Sequence, residues 1–354
     1  MFISICTNAM IRKSTSFSIF ILLLVIALGF TLPPKRKIVW PKKIYDFGNN
    51  LSSEEKKELG RVLFYDPLLS SNGSISCSSC HLSYTAFAHT DHPTSHGVND
   101  AVGTRNAPAL FNLAWKKNFM WDGAVHHIDA QALAPIENKL EMNESLPNVI
   151  EKLNARKFYR ELFYQAWGDS LATGERMLKS ISQFLISLES TNSKYDQMLE
   201  GTLKFTAQEQ QGYLLFQKFC NACHTEPLFT SNQFANNGIE PRFTSDFGRE
   251  NITGRKEDRY LFMIPSLRNI EFSYPYMHDG QMKTLQDVLN HYSNGSNFGG
   301  STSLPLNQKM HLSSNEKQDL IAFLLTLTDQ QFLNQTNYQF PKKLQNEILQ
   351  RATQ

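Results

Sequence analysis

Two copies of one five-residue pattern constrain this chain more than any other feature: Cys77-Ser78-Ser79-Cys80-His81 and Cys220-Asn221-Ala222-Cys223-His224. Thiols at i and i+3 stand on one side of a helical turn. Both can bond the vinyl groups of a haem while the histidine that follows turns its imidazole under the iron. Zinc and disulfide chemistry also use Cys-x-x-Cys pairs. The pairs begin 143 residues apart, at 77 and 220, far beyond zinc-ribbon spacing. Neither alternative explains a histidine after both pairs, and no thioredoxin-like strand precedes either. The pattern predicts two covalent c-type haems, one on Cys77, Cys80 and His81, the other on Cys220, Cys223 and His224.

Such haems are assembled outside the cytoplasm, and the N-terminus agrees with export to the periplasm. Arg12 and Lys13 precede an apolar run from Phe17 to Phe30, a good hydrophobic region for secretion. It falls short of the ~20 residues that span a bilayer comfortably. Gly29-Phe30-Thr31 is a poor cleavage site, so residues 1–32 read as a signal peptide or as a retained membrane anchor. Of five cysteines, four lie in the motifs and Cys6 lies in this leader. A net charge of +2 over 354 residues implies neither nucleic acid nor an acidic partner.

Residues 33–50 read as a basic, proline-containing linker. Ser52 with Glu55 makes a capping box that opens a helix through Leu59, Val62, Leu63 and Phe64. Thr206 with Glu209 does the same before Tyr213, Leu215 and Phe216. Gly60-Arg61-Val62-Leu63-Phe64 and Gly212-Tyr213-Leu214-Leu215-Phe216 are parallel texts, each leading into a Cys-x-x-Cys-His motif. In the first copy, Tyr65 to Ser76 is inserted between helix and motif. Further helices are expected at 144–166 and 174–190. A third capping box, Ser313 with Glu316, begins the helix that a cytochrome c fold lays across its first one. Residues 84–125 and 225–280 read as long ordered loops, which commonly carry function. The fold expected is mainly α, with a first cytochrome c-like domain at 51–198 and a second at 199–340.

At this point the chain resembles the bacterial di-haem cytochrome c peroxidase family, including its MauG-type branch. The resemblance runs from about Leu51 to Leu327. It rests on Leu59-Gly60 to Asp66-Pro67, Ile75-Ser76-Cys77, Gly103-Thr104-Arg105-Asn106-Ala107-Pro108, Phe119-Met120-Trp121-Asp122-Gly123, Glu141-Met142, Pro265-Ser266-Leu267-Arg268-Asn269 and Pro275-Tyr276-Met277-His278-Asp279-Gly280.

The resemblance implies roles position by position. Glu141 is the acid/base group of the first haem pocket, Gln131 lies near that pocket, and Trp121 relays electrons between the haems. Asn106, Ser273 and Pro275 hold a calcium ion; the family usually has threonine at Ser273, but a backbone carbonyl serves equally. Two departures stand out. Classical members carry a histidine that caps the first haem at rest, where this chain has Val98 or Asn99. His96 is the nearby substitute, with His89 and His92 in the same loop. Classical members also carry a methionine ligand to the second haem where this chain has Tyr292, as in the MauG-type branch. Met277, Met282 and His291 are its competitors.

The activity implied is reduction of hydrogen peroxide to water by electrons from a small cytochrome or cupredoxin. A MauG-like oxidase acting on a partner protein and a non-enzymatic di-haem electron carrier are the alternatives. The homodimer usual in the family is left open.

Overall fold

The computed structural model describes residues 38–295, 303 and 310–352. The expected leader, Cys6 and the start of the linker lie outside them. Most of the long helices begin where a side-chain oxygen accepts from an otherwise unbonded first-turn amide. Ser53 caps α1 (Glu54–Tyr65) by accepting from Lys56 N. The cap is thus one residue later than the Ser52–Glu55 box expected. The region expected as one helix at 144–166 is two, α2 (Leu146–Asn154) and α3 (Lys157–Trp167). The break follows Asn154, whose side chain exchanges hydrogen bonds with the backbone of Ala172 at 2.8 and 3.0 Å. Helix α4 (Gly174–Ser187) occupies most of 174–190. Helix α5 (Ala207–Phe219) opens with the Thr206–Glu209 box as expected. Then come α6 (Leu285–Asn294), α7 (Ser314–Leu325), with its Ser313–Glu316 box, and α8 (Lys342–Ala352).

The two parallel texts turn out to be one helix crossing built twice. Gly60 on α1 meets α4 so closely that a Cβ there would stand 1.9 Å from Ser180 O. Gly212 on α5 meets α7 at the same 1.9 Å, from Asp319 O. Only a residue without a side chain lets the backbones approach this far. Around the first crossing Leu59, Leu63 and Phe64 bury against Ile181, Phe184 and Leu185. Around the second, Phe216 and Phe229 bury against Leu320, Phe323 and Leu324. Each such side chain contributes about 1.5–3 kcal/mol when fully buried. The two crossings, and the cores they nucleate, are therefore what hold each motif in place.

Connections at 84–125 and 225–280 carry short 3-10 turns and one small antiparallel ladder, β1 (Phe234–Ala235) against β2 (Phe262–Met263). After α7 the chain returns to the first core. Asp329 accepts from the amides of Thr191 and Asn192 at 2.9 Å, and Phe332, Leu333 and Leu344 join the cluster around α1. Arg351 at the end of α8 forms a forked pair with buried Asp66, at 3.0 and 2.7 Å. Tyr159 bonds the same carboxylate. Among the described residues, no helix is long and apolar enough to cross a membrane.

Candidate haem sites and the cavity between them

Both motifs close on themselves through the same turn. His81 N donates to Cys77 O at 3.0 Å, and His224 N donates to Cys220 O at 2.9 Å. This places each imidazole at the end of a turn whose two thiols stand together. Nδ1 of His81 lies 2.8 Å from Phe87 O. Nδ1 of His224 lies 3.1 Å from Pro265 O and 3.3 Å from Phe229 O. A carbonyl can only accept, so Nδ1 carries the proton in both rings and Nε2 keeps its lone pair for a metal. Burial drives both imidazoles down to about 4, which keeps them in the neutral, ligating form. Burial likewise pushes the Cys77 and Cys220 thiols up to about 12 and Cys80 to about 11. All four motif cysteines are free thiols. Among the described residues, no group of three or more His, Cys, Asp or Glu gathers as a metal cluster. Paired free thiols beside a neutral, oriented imidazole are the donor set a covalent haem requires.

A cavity of about 380 Å³ runs from His81 to the second half of the chain, lined by Cys80, Trp121, Gln131, Glu141, Met263 and Pro265. It brings together five residues that the sequence placed at the first haem and between the haems, Cys80, His81, Trp121, Gln131 and Glu141. Burial raises the Glu141 carboxyl, and Asn138, donating to Oε1 at 2.7 Å, opposes the rise. Val98 N donates to Glu141 O at 2.8 Å, tying this residue to the loop after His96. Trp121 sits at the seam. Its indole N–H donates to Asn106 O at 2.8 Å, and its carbonyl accepts from Met263 N at 2.7 Å. Gln131 ends a short helix, Ile128–Gln131, with its amide 3.8 Å from Met120 Sδ.

His96 lines an adjoining void, which shares His81, Gln131 and Glu141 with this cavity. Its ring lies 4.5 Å from that of His92, which lies 5.7 Å from that of His89. That void measures about 40 Å³ and lies beside Cys77, Cys80 and Glu141. At the second motif, Tyr292 on α6 lies near Cys220 and Cys223, and burial raises its phenol to about 12. Of its competitors, Met277 Sδ accepts from Asn237 Nδ2 at 3.2 Å. His291 Nε2 donates to Asn237 O at 2.9 Å. Met282 is held by backbone pairing with Tyr276.

Asn106 links several of these parts. Its N–H donates to His278 O at 2.8 Å and its amide donates to Pro93 O at 3.0 Å. Among the described residues, no donor engages Asn106 Oδ1 or the carbonyls of Ser273 and Pro275. Neutral oxygens of this kind suit a hard cation.

Sequence reasoning missed three residues here. Arg105 bridges Asp122 at 2.6 Å and Asp246 at 2.7 Å across the seam, which holds its guanidinium charge firmly. It stood inside a quoted motif, but its acidic partners are 17 and 141 residues away. Lys116 lines the main cavity, and burial lowers its ammonium to about 8. Asn237 lies in a polar loop with no local signal at all.

The family model described as di-haem cytochrome c peroxidase matches residues 54–204. Methylamine utilization protein MauG of Methylorubrum extorquens is 36% identical over 290 residues, covering 78% of this chain and 79% of that protein. Cytochrome c551 peroxidase of Nitrosomonas europaea is 36% identical over 281 residues, covering 77% of this chain and 80% of its own length. Among solved structures, a MauG-like protein associated with microbial copper homeostasis superposes with a TM-score of 0.75 at 31% identity. That match covers 88% of this chain and 98% of the other.

Proposed function

Because the chain belongs to the di-haem cytochrome c peroxidase family, we propose that it reduces hydrogen peroxide to water with electrons from a small redox protein. The single observation that carries this reading is the cavity joining His81 and Glu141 to Trp121 and to the second half of the chain. When bound, the two haems supply the redox chemistry. The chain supplies proton handling and position. Splitting peroxide requires a proton to move from one oxygen to the other, the task of a single positioned acid/base. The raised carboxyl of Glu141 suits it, because a base near the working pH takes and returns a proton most readily. Two electrons and two protons then convert one peroxide into two waters. Trp121, bonded to Asn106 on one side and Met263 on the other, is the relay between the halves. Cys77, Cys80 and His81 hold the first haem, and Cys220, Cys223 and His224 the second.

Tyr292 would hold the second haem's iron together with His224, a reading supported by its place beside Cys220 and Cys223. It favours the tyrosine-ligated MauG-type branch for the second haem, which keeps oxidation of a partner protein as a second reading. Asn106 Oδ1 with the carbonyls of Ser273 and Pro275 hold calcium. The protein is exported to the periplasm, where a small cytochrome or cupredoxin is the donor.

The test is steady-state peroxide reduction by the di-haem protein with a reduced small cytochrome c. Turnover with water as product supports the peroxidase. A protein that carries both haems yet shows no peroxide-dependent donor oxidation is an electron carrier instead.

A further inference from the structure

We propose that Asn237 is a positioning residue that selects the axial ligand of the second haem, presenting Tyr292 to the iron and holding Met277 away. The inference rests on Tyr292 being that ligand.

Three of the four candidate ligands for this iron, Tyr292, Met277 and His291, converge on Asn237. Its Oδ1 accepts from Ile239 N at 3.3 Å, which fixes the amide orientation and aims the NH2 group the other way. Nδ2 then donates to Met277 Sδ at 3.2 Å. A thioether is a weak acceptor, and a lone pair engaged by an N–H is not available to a metal. Met277 also has φ +76°, a left-handed conformation uncommon for this residue type, so the fold dictates where its side chain starts.

The same amide lies within hydrogen-bonding reach of the Tyr292 hydroxyl. The backbone carbonyl of Asn237 takes the third competitor. It accepts from His291 Nε2 at 2.9 Å, so that nitrogen carries a proton and cannot ligate. The bond also pins the backbone at 237 to α6, beside Tyr292. One residue therefore occupies two unwanted donors and lies within reach of the wanted one.

The choice has an electronic consequence. A thioether ligand raises a haem potential, whereas a phenolate adds negative charge and favours ferric iron. Whatever selects between them sets how readily the second haem gives up electrons.

The experiment uses the full-length di-haem protein. It compares ferric optical and EPR spectra, and the potential of each haem, for wild type, Asn237→Leu, Met277→Leu, the double variant and Tyr292→Phe. Asn237→Leu should gain a thioether-to-iron charge-transfer band at the red end of the spectrum and an upward shift in the second haem's potential. Both should disappear in the double variant. A second-haem spectrum unchanged by Asn237→Leu but altered by Tyr292→Phe overturns the selector role and leaves the tyrosine reading intact. A spectrum unchanged by Tyr292→Phe overturns the tyrosine reading itself. A new band that persists in the double variant overturns the competition with Met277. Should Asn237→Leu fail to fold, Asn237→Asp keeps the shape and replaces the donor with an acceptor. It should lose the tyrosinate signature, and a wild-type spectrum there overturns the proposal.

Discussion

Glu141→Gln is the substitution that tests proton transfer most directly. Glutamine keeps the shape and the oxygen that accepts from Asn138 Nδ2 at 2.7 Å, so packing is preserved while the base is lost. General acid/base catalysis is worth ~10²–10⁴-fold. At 1.36 kcal/mol per decade, that removes about 2.7–5.4 kcal/mol of barrier lowering. The pH profile adds a test that a structural role would not pass. Burial holds the Glu141 carboxyl above its ordinary range, and only its ionised form can take a proton from peroxide. The kcat/KM for peroxide should therefore be flat above that pKa and fall as pH drops through it. Asn138 favours the ionised form, so Asn138→Ala should move the acid limb to higher pH. Glu141→Gln should abolish the limb. The assay is steady-state peroxide reduction with saturating reduced cytochrome across the acidic range, with haem content checked for each variant. A loss below about threefold, under ~1 kcal/mol, or an acid limb that survives in Glu141→Gln, refutes the assignment.

Gly212→Ala should destabilise the second domain by a net ~1–2 kcal/mol. Forcing a Cβ to 1.9 Å from Asp319 O costs ~2–3 kcal/mol, the upper part of the overpacking range because the neighbour is backbone, offset by ~1 kcal/mol of helix propensity. An unchanged urea midpoint would contradict the close crossing. Arg351→Met leaves Asp66 buried with only Tyr159 and Leu68 N as partners. It should lower stability by about 3 kcal/mol, the low end for breaking a buried pair; chemical denaturation showing under ~1 kcal/mol would show the pair to be idle. Exhaustive chelation of calcium should lower peroxide turnover and alter the haem spectra, and Asn106→Ala should reproduce both effects. Unchanged turnover and spectra after chelation would remove calcium from the reading.

Features written in local sequence were legible, because local chemistry decides them. The Thr206 and Ser313 boxes cap their helices as read, and the parallel Gly60 and Gly212 texts are equivalent crossings. Ser52 and Ser53 offer the same oxygen one residue apart, so pattern alone chose the wrong one. The break after Asn154 depends on Ala172, a partner 18 residues away that no window contains. Helix α8 has only Leu344 and Ile348 on its packed face, and its anchor is an ion pair to Asp66, 285 residues earlier. The small ladder of β1 and β2 is likewise a product of contact between distant loops. Glu141, Gln131 and Trp121, expected from the family resemblance, all line the one cavity. The Arg105 bridge and Asn237 were not legible, since their roles exist only once separate loops meet.

The return of the C-terminal segment to the first core makes that folding unit discontinuous in the chain. Domains generally fold in order as they are synthesised, but here the last pieces of the first core, Phe332, Leu333 and Leu344, come from the opposite end of the polypeptide. Contacts this far apart in sequence close late, because loop-closure entropy opposes them until the rest is in place. A fragment ending before Asp329 would leave the apolar surface around Phe87 and Phe111, which Phe332 covers, facing water. It would also leave the carboxylate of Asp66 without its guanidinium. The first half therefore cannot be cut out as a self-sufficient single-haem protein.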